Sequence, residues 1–277
     1  LKSNYWHYQE YHLHYYTAGN PAQPCIIFLH GFLGSGLDWQ EVIKNLSVDY
    51  YCIAPDLPGH GGTKIDGNSD LYTMEYFASI FVKYLKNTGV FASHLTGYSM
   101  GGRFALFLSV HFRNLWQKVI LESASPGLKT KKKRMERIQN DEQLANRLEQ
   151  IPLGDFLRNW YGQSIFKSLQ KNEKYPSMIS RKMLNNPREL AIALRMMGTG
   201  CQPSLWKEWK SINSPILLLA GEFDRKFCEI MSEMKQTNPN AELQIVKSSG
   251  HNTHFEKPSI FQAHIYNFLT STREKHL

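Results

Sequence analysis

No stretch of this 277-residue chain is apolar for long enough to span a bilayer, which argues against a membrane-spanning protein. Cysteine is scarce. Cys25, Cys52, Cys201 and Cys228 are scattered, with neither metal-site nor redox-motif spacing, and that fits a reducing cytoplasm. Cys25 and Cys52 fall in expected buried strands, where cysteine behaves as a small hydrophobe. Without a ligand cluster or a phosphate-binding loop, no metal and no cofactor is implied. Internal repeats and low-complexity tracts are missing too. The chain opens on Leu1 rather than Met, so a few residues are expected to precede it, and Leu1-Lys2-Ser3-Asn4-Tyr5-Trp6-His7 lacks the build of a signal peptide. Acidic residues are outnumbered, 24 against 32 Lys and Arg, for a formal net charge of +8. Such a surplus raises nucleic acid or a membrane surface as a partner, but no nucleic-acid-binding motif accompanies it, so DNA and RNA are set aside.

What remains is a chain with 42% hydrophobic and 13% aromatic residues, which folds rather than staying disordered. Its length suits one α/β domain with an insertion. The organising stretch is Gly97-Tyr98-Ser99-Met100-Gly101-Gly102-Arg103. Phe91 to Thr96 before it reads as a short buried strand, and Phe104 to Val110 after it as an apolar helix. Strand, G-x-S-x-G and helix together are the setting of a nucleophile elbow, in which glycines permit a sharp turn that exposes a strained serine. The helix N-terminus then turns free N–H groups toward any negative charge developing at Ser99.

Along the chain, alternation over Asn4 to Thr17 predicts a hairpin turning near Gln9-Glu10. Cys25 to Leu29 and Tyr50 to Ala54 are continuous apolar runs of the kind found in buried parallel strands. The first ends in His30-Gly31-Phe32, where a second oxyanion donor is expected. Asp38 to Leu46 and Leu71 to Lys86 read as helices, and Lys118 to Glu122 as the sixth strand. From Ser125 to about Lys210 the strand rhythm gives way to a helical, charged pattern broken at Pro152, Pro176, Pro187 and Gly198-Thr199-Gly200. Pro215 to Ala220 and Glu242 to Val246 restore the sheet, and Pro258 to Leu269 closes the chain as a helix. The division is therefore a core of 1–124 and 211–277, with a helical cap of 125–210 inserted after the sixth strand.

Gly221-Glu222-Phe223-Asp224 places an aspartate just past one late strand, and Ser249-Gly250-His251 a histidine just past the next. Ser99, Asp224 and His251, in that chain order, match the triad of an α/β-hydrolase fold, a mostly parallel sheet flanked by helices. A serine hydroxyl is inert at its free pKa, so His251 must take its proton while Asp224 orients the ring. Glu122 is a rival acid, since it also ends a strand, and His254 a rival base. The backbone N–H groups of Phe32 and Met100 are the expected oxyanion donors. Arg103 lies one turn beyond Ser99 on an otherwise apolar helix. A buried guanidinium needs an anionic partner, either a carboxylate of the chain or one on a substrate. The run Lys129-Thr130-Lys131-Lys132-Lys133-Arg134, with Arg137 one turn on, reads either as a solvated helix face or as cations holding an acidic small molecule.

The elbow with its arginine resembles that of the 2-succinyl-6-hydroxy-2,4-cyclohexadiene-1-carboxylate synthases of menaquinone and phylloquinone biosynthesis. The likeness extends through Leu121-Glu122-Ser123-Ala124-Ser125-Pro126-Gly127-Leu128, Asn159-Trp160-Tyr161 and the segment from Leu194 to Trp206. It continues in Gly221-Glu222-Phe223-Asp224-Arg225-Lys226-Phe227 and Gly250-His251-Asn252-Thr253-His254-Phe255-Glu256. The resemblance implies a lyase that eliminates pyruvate from 2-succinyl-5-enolpyruvyl-6-hydroxy-3-cyclohexene-1-carboxylate, with Ser99 as base behind which stand His251 and Asp224. It also implies that Arg103, Arg137 and Arg181 bind this small tricarboxylate substrate, and that Trp160, Tyr161 and Tyr98 line its pocket. Two competitors are a serine hydrolase of the same fold, acting on an ester, thioester or carbon–carbon bond, and a small-molecule receptor built on that fold.

Overall fold

A computed structural model describes residues 1–271. β1 (Lys2–Tyr8) and β2 (Tyr11–Ala18) form the expected hairpin, turning at Gln9, whose φ is 52°. β3 (Cys25–Leu29), α1 (Gln40–Leu46), β4 (Tyr51–Pro55), β5 (Lys64–Ile65) and α2 (Met74–Asn87) follow. Then come β6 (Ser93–Tyr98), α3 (Met100–His111) and β7 (Trp116–Glu122). β5 was not expected from sequence. It is two residues long, too short to show alternation, and pairs with Tyr11 and His12 of β2. It makes β7 the seventh strand, so the helical stretch follows the seventh strand rather than the sixth. The strand before the elbow also starts later than its apolar run suggests. Ala92 has a φ of 52° and Phe91 is exposed, so pairing begins only at Ser93.

Between β7 and β8 (Ile216–Gly221) the described chain has only helices and 3-10 turns: α4 (Lys131–Gln150), α5 (Leu153–Tyr161), α6 (Tyr175–Lys182), α7 (Pro187–Met197) and α8 (Trp206–Trp209). α9 (Arg225–Thr237), β9 (Ala241–Val246), α10 (Thr253–Glu256) and α11 (Pro258–Thr270) complete the order. The sheet runs β1-β2-β4-β3-β6-β7-β8-β9, with antiparallel pairing through β1, β2 and β4 and parallel pairing from β4 onward. No helix among the described residues is long and apolar enough to cross a membrane.

The two-residue period of the central strands separates two cores. Ile27, Leu29, Val119, Leu121 and Leu218 face one layer, which is completed by Phe77 and Phe81 of α2 and Phe104 of α3. Ile26, Phe28, Ile120, Leu217 and Leu219 face the other, against Val42 of α1 and Phe261 of α11. Because both faces are covered, these strands carry apolar residues on both. A third cluster lies within the insertion, where Leu148, Phe156, Leu157, Leu190 and Leu194 pack together and reach Leu33 in the loop after β3. That contact seats the insertion over the loops that follow the strands, where open parallel sheets place their sites.

Candidate active site

Ser99 caps α3 with φ 50° and ψ −107°, a conformation that non-glycine residues seldom adopt. The surrounding structure holds it there. Ser99 N donates to Glu122 O at 2.9 Å, and Arg103 N donates to Ser99 O at 2.9 Å. The flanking glycines are required by close approach: a Cβ on Gly97 would sit 2.4 Å from Gly101 O, and one on Gly101 would sit 2.3 Å from Leu29 O.

His251 and Asp224 converge on this turn. Asp224 opens α9 and His251 follows β9; both are buried. Asp224 Oδ2 lies 2.6 Å from His251 Nδ1, and His251 Nε2 lies 3.1 Å from Ser99 Oγ. With the Nδ1 proton donated to Asp224, Nε2 is left to accept from the serine hydroxyl. The imidazole is walled by the rings of Phe227, Tyr98 and Phe166, with centroids at 4.8, 5.3 and 5.7 Å.

The rival acid and the rival base pair with each other. Glu122, fully buried, accepts from His254 Nδ1 at 2.6 Å, His254 N at 3.0 Å and Thr253 Oγ1 at 2.7 Å. His254 stacks on Trp39, with ring centroids 4.0 Å apart, and neither it nor Glu122 lines the cavity. Glu122 thus ties the loop bearing His251 to the strand beside the elbow.

The loop after β3 brings Phe32 to the serine, since a Cβ on Gly31 would lie 3.6 Å from Ser99 Cβ. Among the described residues, neither the Phe32 nor the Met100 N–H donates a hydrogen bond, which leaves both available to an oxyanion. Two buried histidines brace this loop. His60 Nε2 accepts from Leu33 N at 3.1 Å, and His30 Nε2 accepts from Leu57 N at 2.9 Å. Both must be neutral to accept. Burial pushes His60 down to about 3, and burial likewise lowers His30.

A cavity of about 470 Å³ opens over Ser99 and His251, and a smaller one of about 70 Å³ adjoins it beside Arg103. Arg103 is only 9% exposed. Its Nη1 donates to Met197 O at 3.0 Å and Gln202 Oε1 at 3.3 Å; among the described residues no carboxylate forms a salt bridge with it, and Asp141, which Arg137 holds, acts on it only from farther off. Burial, reinforced by the charge of Arg137, brings it down to about 10. Arg137 also lines the cavity, while its Nε donates to Asp141 Oδ1 at 2.7 Å. Trp160, Tyr161 and Tyr98 line it as expected, and Trp160 meets the ring of Phe32 edge-on at 5.2 Å.

Arg181 does not line the cavity. It donates to Ser177 Oγ on its own helix at 3.3 Å, and its neighbour Lys182 takes the inward position, because successive residues on a helix point about 100° apart. Lys182 pairs with Asp38, and both line the cavity. Burial works against each charge. It lowers the Lys182 ammonium, whereas for Asp38 the lysine's charge and hydrogen bond prevail over burial and hold the carboxyl below its usual range. Lys182, Asp38, Gln202, Phe166 and Phe227 were not singled out from sequence. For Gln202 a signal existed, since it lies in the segment from Leu194 to Trp206. That segment forms the cradle of Arg103, tied down by Gln202 Nε2 to Ser125 O at 3.3 Å and Trp206 Nε1 to Gly127 O at 2.9 Å.

A family model described as the alpha/beta hydrolase fold matches residues 24–258, and the chain is a member of that class. The chain is 35% identical over 256 residues to a Bacillus subtilis (strain 168) protein that carries the name 2-succinyl-6-hydroxy-2,4-cyclohexadiene-1-carboxylate synthase provisionally, spanning 91% of this chain and 93% of that one. It is 32% identical over 244 residues to the synthase of that name from Escherichia coli O157:H7, spanning 87% of this chain and 92% of that one. The solved structure of MenH from S. aureus superposes with a TM-score of 0.87 at 32% identity, covering 92% of this chain and 97% of that one. Within the α/β-hydrolase class the chain therefore belongs to the 2-succinyl-6-hydroxy-2,4-cyclohexadiene-1-carboxylate synthase family.

Proposed function

We propose that this protein is a carbon–oxygen lyase that eliminates pyruvate from 2-succinyl-5-enolpyruvyl-6-hydroxy-3-cyclohexene-1-carboxylate, leaving 2-succinyl-6-hydroxy-2,4-cyclohexadiene-1-carboxylate. Residues 125–210 serve as a cap on a core of 1–124 and 211–277, of which 272–277 lie outside the described residues. The observation that carries this reading is Arg103: nearly buried, one turn from Ser99, lining the cavity and lacking a carboxylate of its own. Leaving such a charge unpaired is costly, and a substrate carboxylate is the group that its fork fits. An uncharged ester would give this arginine nothing to bind.

In the reaction, Ser99 passes its proton to His251 Nε2 as it takes the ring proton next to the succinyl ketone. Asp224 keeps Nδ1 protonated and stabilises the imidazolium. The negative charge that gathers on the ketone oxygen is held by the N–H groups of Phe32 and Met100. The electron pair then moves through the ring alkene. The bond from the ring to the enolpyruvyl oxygen breaks, and the departing enolate takes up a proton to become pyruvate. Arg103 and Arg137 bind carboxylates, and Trp160, Tyr161 and Tyr98 enclose the ring.

The test is a paired assay on purified protein, with wild type and Arg103→Ala each given the enolpyruvyl substrate and a short-chain aryl ester. The wild type is expected to release pyruvate with little esterase activity, and the variant to lose about 30-fold or more in kcat/KM. Brisk ester hydrolysis without pyruvate release would overturn the reading in favour of a serine hydrolase.

A further inference from the structure

Among the described residues six cations line the cavity over Ser99: Arg103, Lys129, Lys133, Arg137, Lys182 and Lys226. The carboxylates that line it with them are already engaged, Asp38 by Lys182, Glu233 by Lys129 and Asp224 by His251. Arg137 has Asp141 beside it. Among the described residues this leaves Arg103, Lys133 and Lys226 without a carboxylate partner. Arg103 lies at the buried end and Arg137 is partly covered, whereas Lys133 and Lys226 are exposed.

The positions of the two lysines work against the protein taken alone. Lys133 stands in the first turn of α4 with Lys131, Lys132 and Arg134, and Lys226 in the first turn of α9 after Arg225. The start of α4 contains no acidic residue, although the positive end of a helix dipole favours acids there, and at α9 the capping Asp224 is engaged by His251. Lys133 also stands four residues before Arg137 on the same helix face, a spacing at which like charges repel. An anion in the cavity mouth relieves all of these at once. The two lysines line the same cavity from different walls, one from the insertion and one from the core.

We propose that Lys133 and Lys226 form an outer anion site at the cavity mouth, which takes one carboxylate of a polycarboxylate ligand while Arg103 and Arg137 hold another further in. The proposal rests on the reading of this cavity as a polycarboxylate site, and it extends the arginine pair to two lysines with no assigned role. The outer site captures the ligand on entry and fixes which end goes in first.

Two double variants separate this from bulk charge. Lys133→Gln with Lys226→Gln removes the outer site, and Lys131→Gln with Lys132→Gln removes the same net charge from side chains that do not line the cavity. Kinetics of pyruvate release at low and high salt give one readout, and calorimetric binding of propane-1,2,3-tricarboxylate, which needs no turnover, gives the other. The first double is expected to raise KM and weaken tricarboxylate binding about tenfold at low salt, with kcat held and the salt dependence flattened. The second is expected to stay within about twofold of wild type. Equal effects from the two doubles, or no tricarboxylate binding by wild type, overturn the outer site. If tricarboxylate binding weakens only in the first double while wild type releases no pyruvate, the outer site stands and the proposed reaction falls.

Discussion

At the residue scale two histidines three positions apart, His251 and His254, each pair with a buried carboxylate, and only the first reaches the serine. Asp224 serves His251, whereas Glu122 serves His254 and the turn that carries it. Their conservative amides should therefore part company. Asp224→Asn leaves the shape intact but lets His251 adopt the wrong tautomer, so kcat should fall by about 10³-fold or more with little change in stability. Glu122→Gln still offers an acceptor to Thr253 and the His254 N–H but meets His254 Nδ1 with a donor, so it should cost about 1–3 kcal/mol of unfolding free energy and far less of kcat. Steady-state kinetics and urea titration of both variants decide this; matching losses of kcat would show that Glu122 also acts on the proton path. The convergence of Ser99, Asp224 and His251 was legible because each follows a strand and their chain order is the one the fold's triad uses. The choice between Arg181 and Lys182 was not legible, since on a helix of eight residues composition does not say which of two adjacent cations turns inward.

At the element scale, the strand–turn–helix of the elbow is specified by what cannot be added to it. Gly101 has carbonyl oxygens of Leu29 and His30 where its Cβ would be, at 2.3 and 2.5 Å, so β3 and α3 approach backbone to backbone. Gly101→Ala must push the two apart. It should destabilise the protein by about 1–3 kcal/mol and lower activity more than the stability loss explains, because the loop carrying Phe32 follows directly from β3. Denaturant midpoints measured beside kcat check this, and a variant of unchanged stability and activity would refute the close packing. The long elements were readable from their periods. The hairpin, the parallel strands and α11 fall within a residue or two of expectation, the hairpin because its residues alternate and the parallel strands because burial on both faces leaves apolar runs. The errors fall where a local signal is outvoted. Phe91 continues an apolar run yet is exposed ahead of β6, and β5 exists only because β2 offers it a partner.

At the scale of the whole molecule, neutral buried histidines couple the fold to pH. Burial lowers His30, takes His60 to about 3 and, helped by the charge of Lys118, takes His94 to about 4. The unfolded chain, with histidines titrating near 6.5, takes up protons that the fold refuses as pH falls below that value. The stability these groups contribute is present in full above about pH 6.5 and declines toward pH 4, by up to about 1.4 kcal/mol per unit for each histidine. Urea midpoints at pH 7.5, 6 and 5 should therefore descend, and a flat series would contradict the neutral bracing of the Phe32 loop. The same whole-molecule view gives another meaning to Glu122, whose carbonyl takes the Ser99 N–H and whose carboxylate takes the turn after His251. Serine and base are spaced through the sheet, not across the cavity, whereas Arg137, Trp160, Tyr161 and Lys182 belong to the insertion. Reactivity and the innermost arginine are thus inherited together on the core while the rest of the lining comes from the insertion, and a lineage can reshape its guest's outer contacts while its proton-transfer geometry passes unaltered from ancestor to descendant.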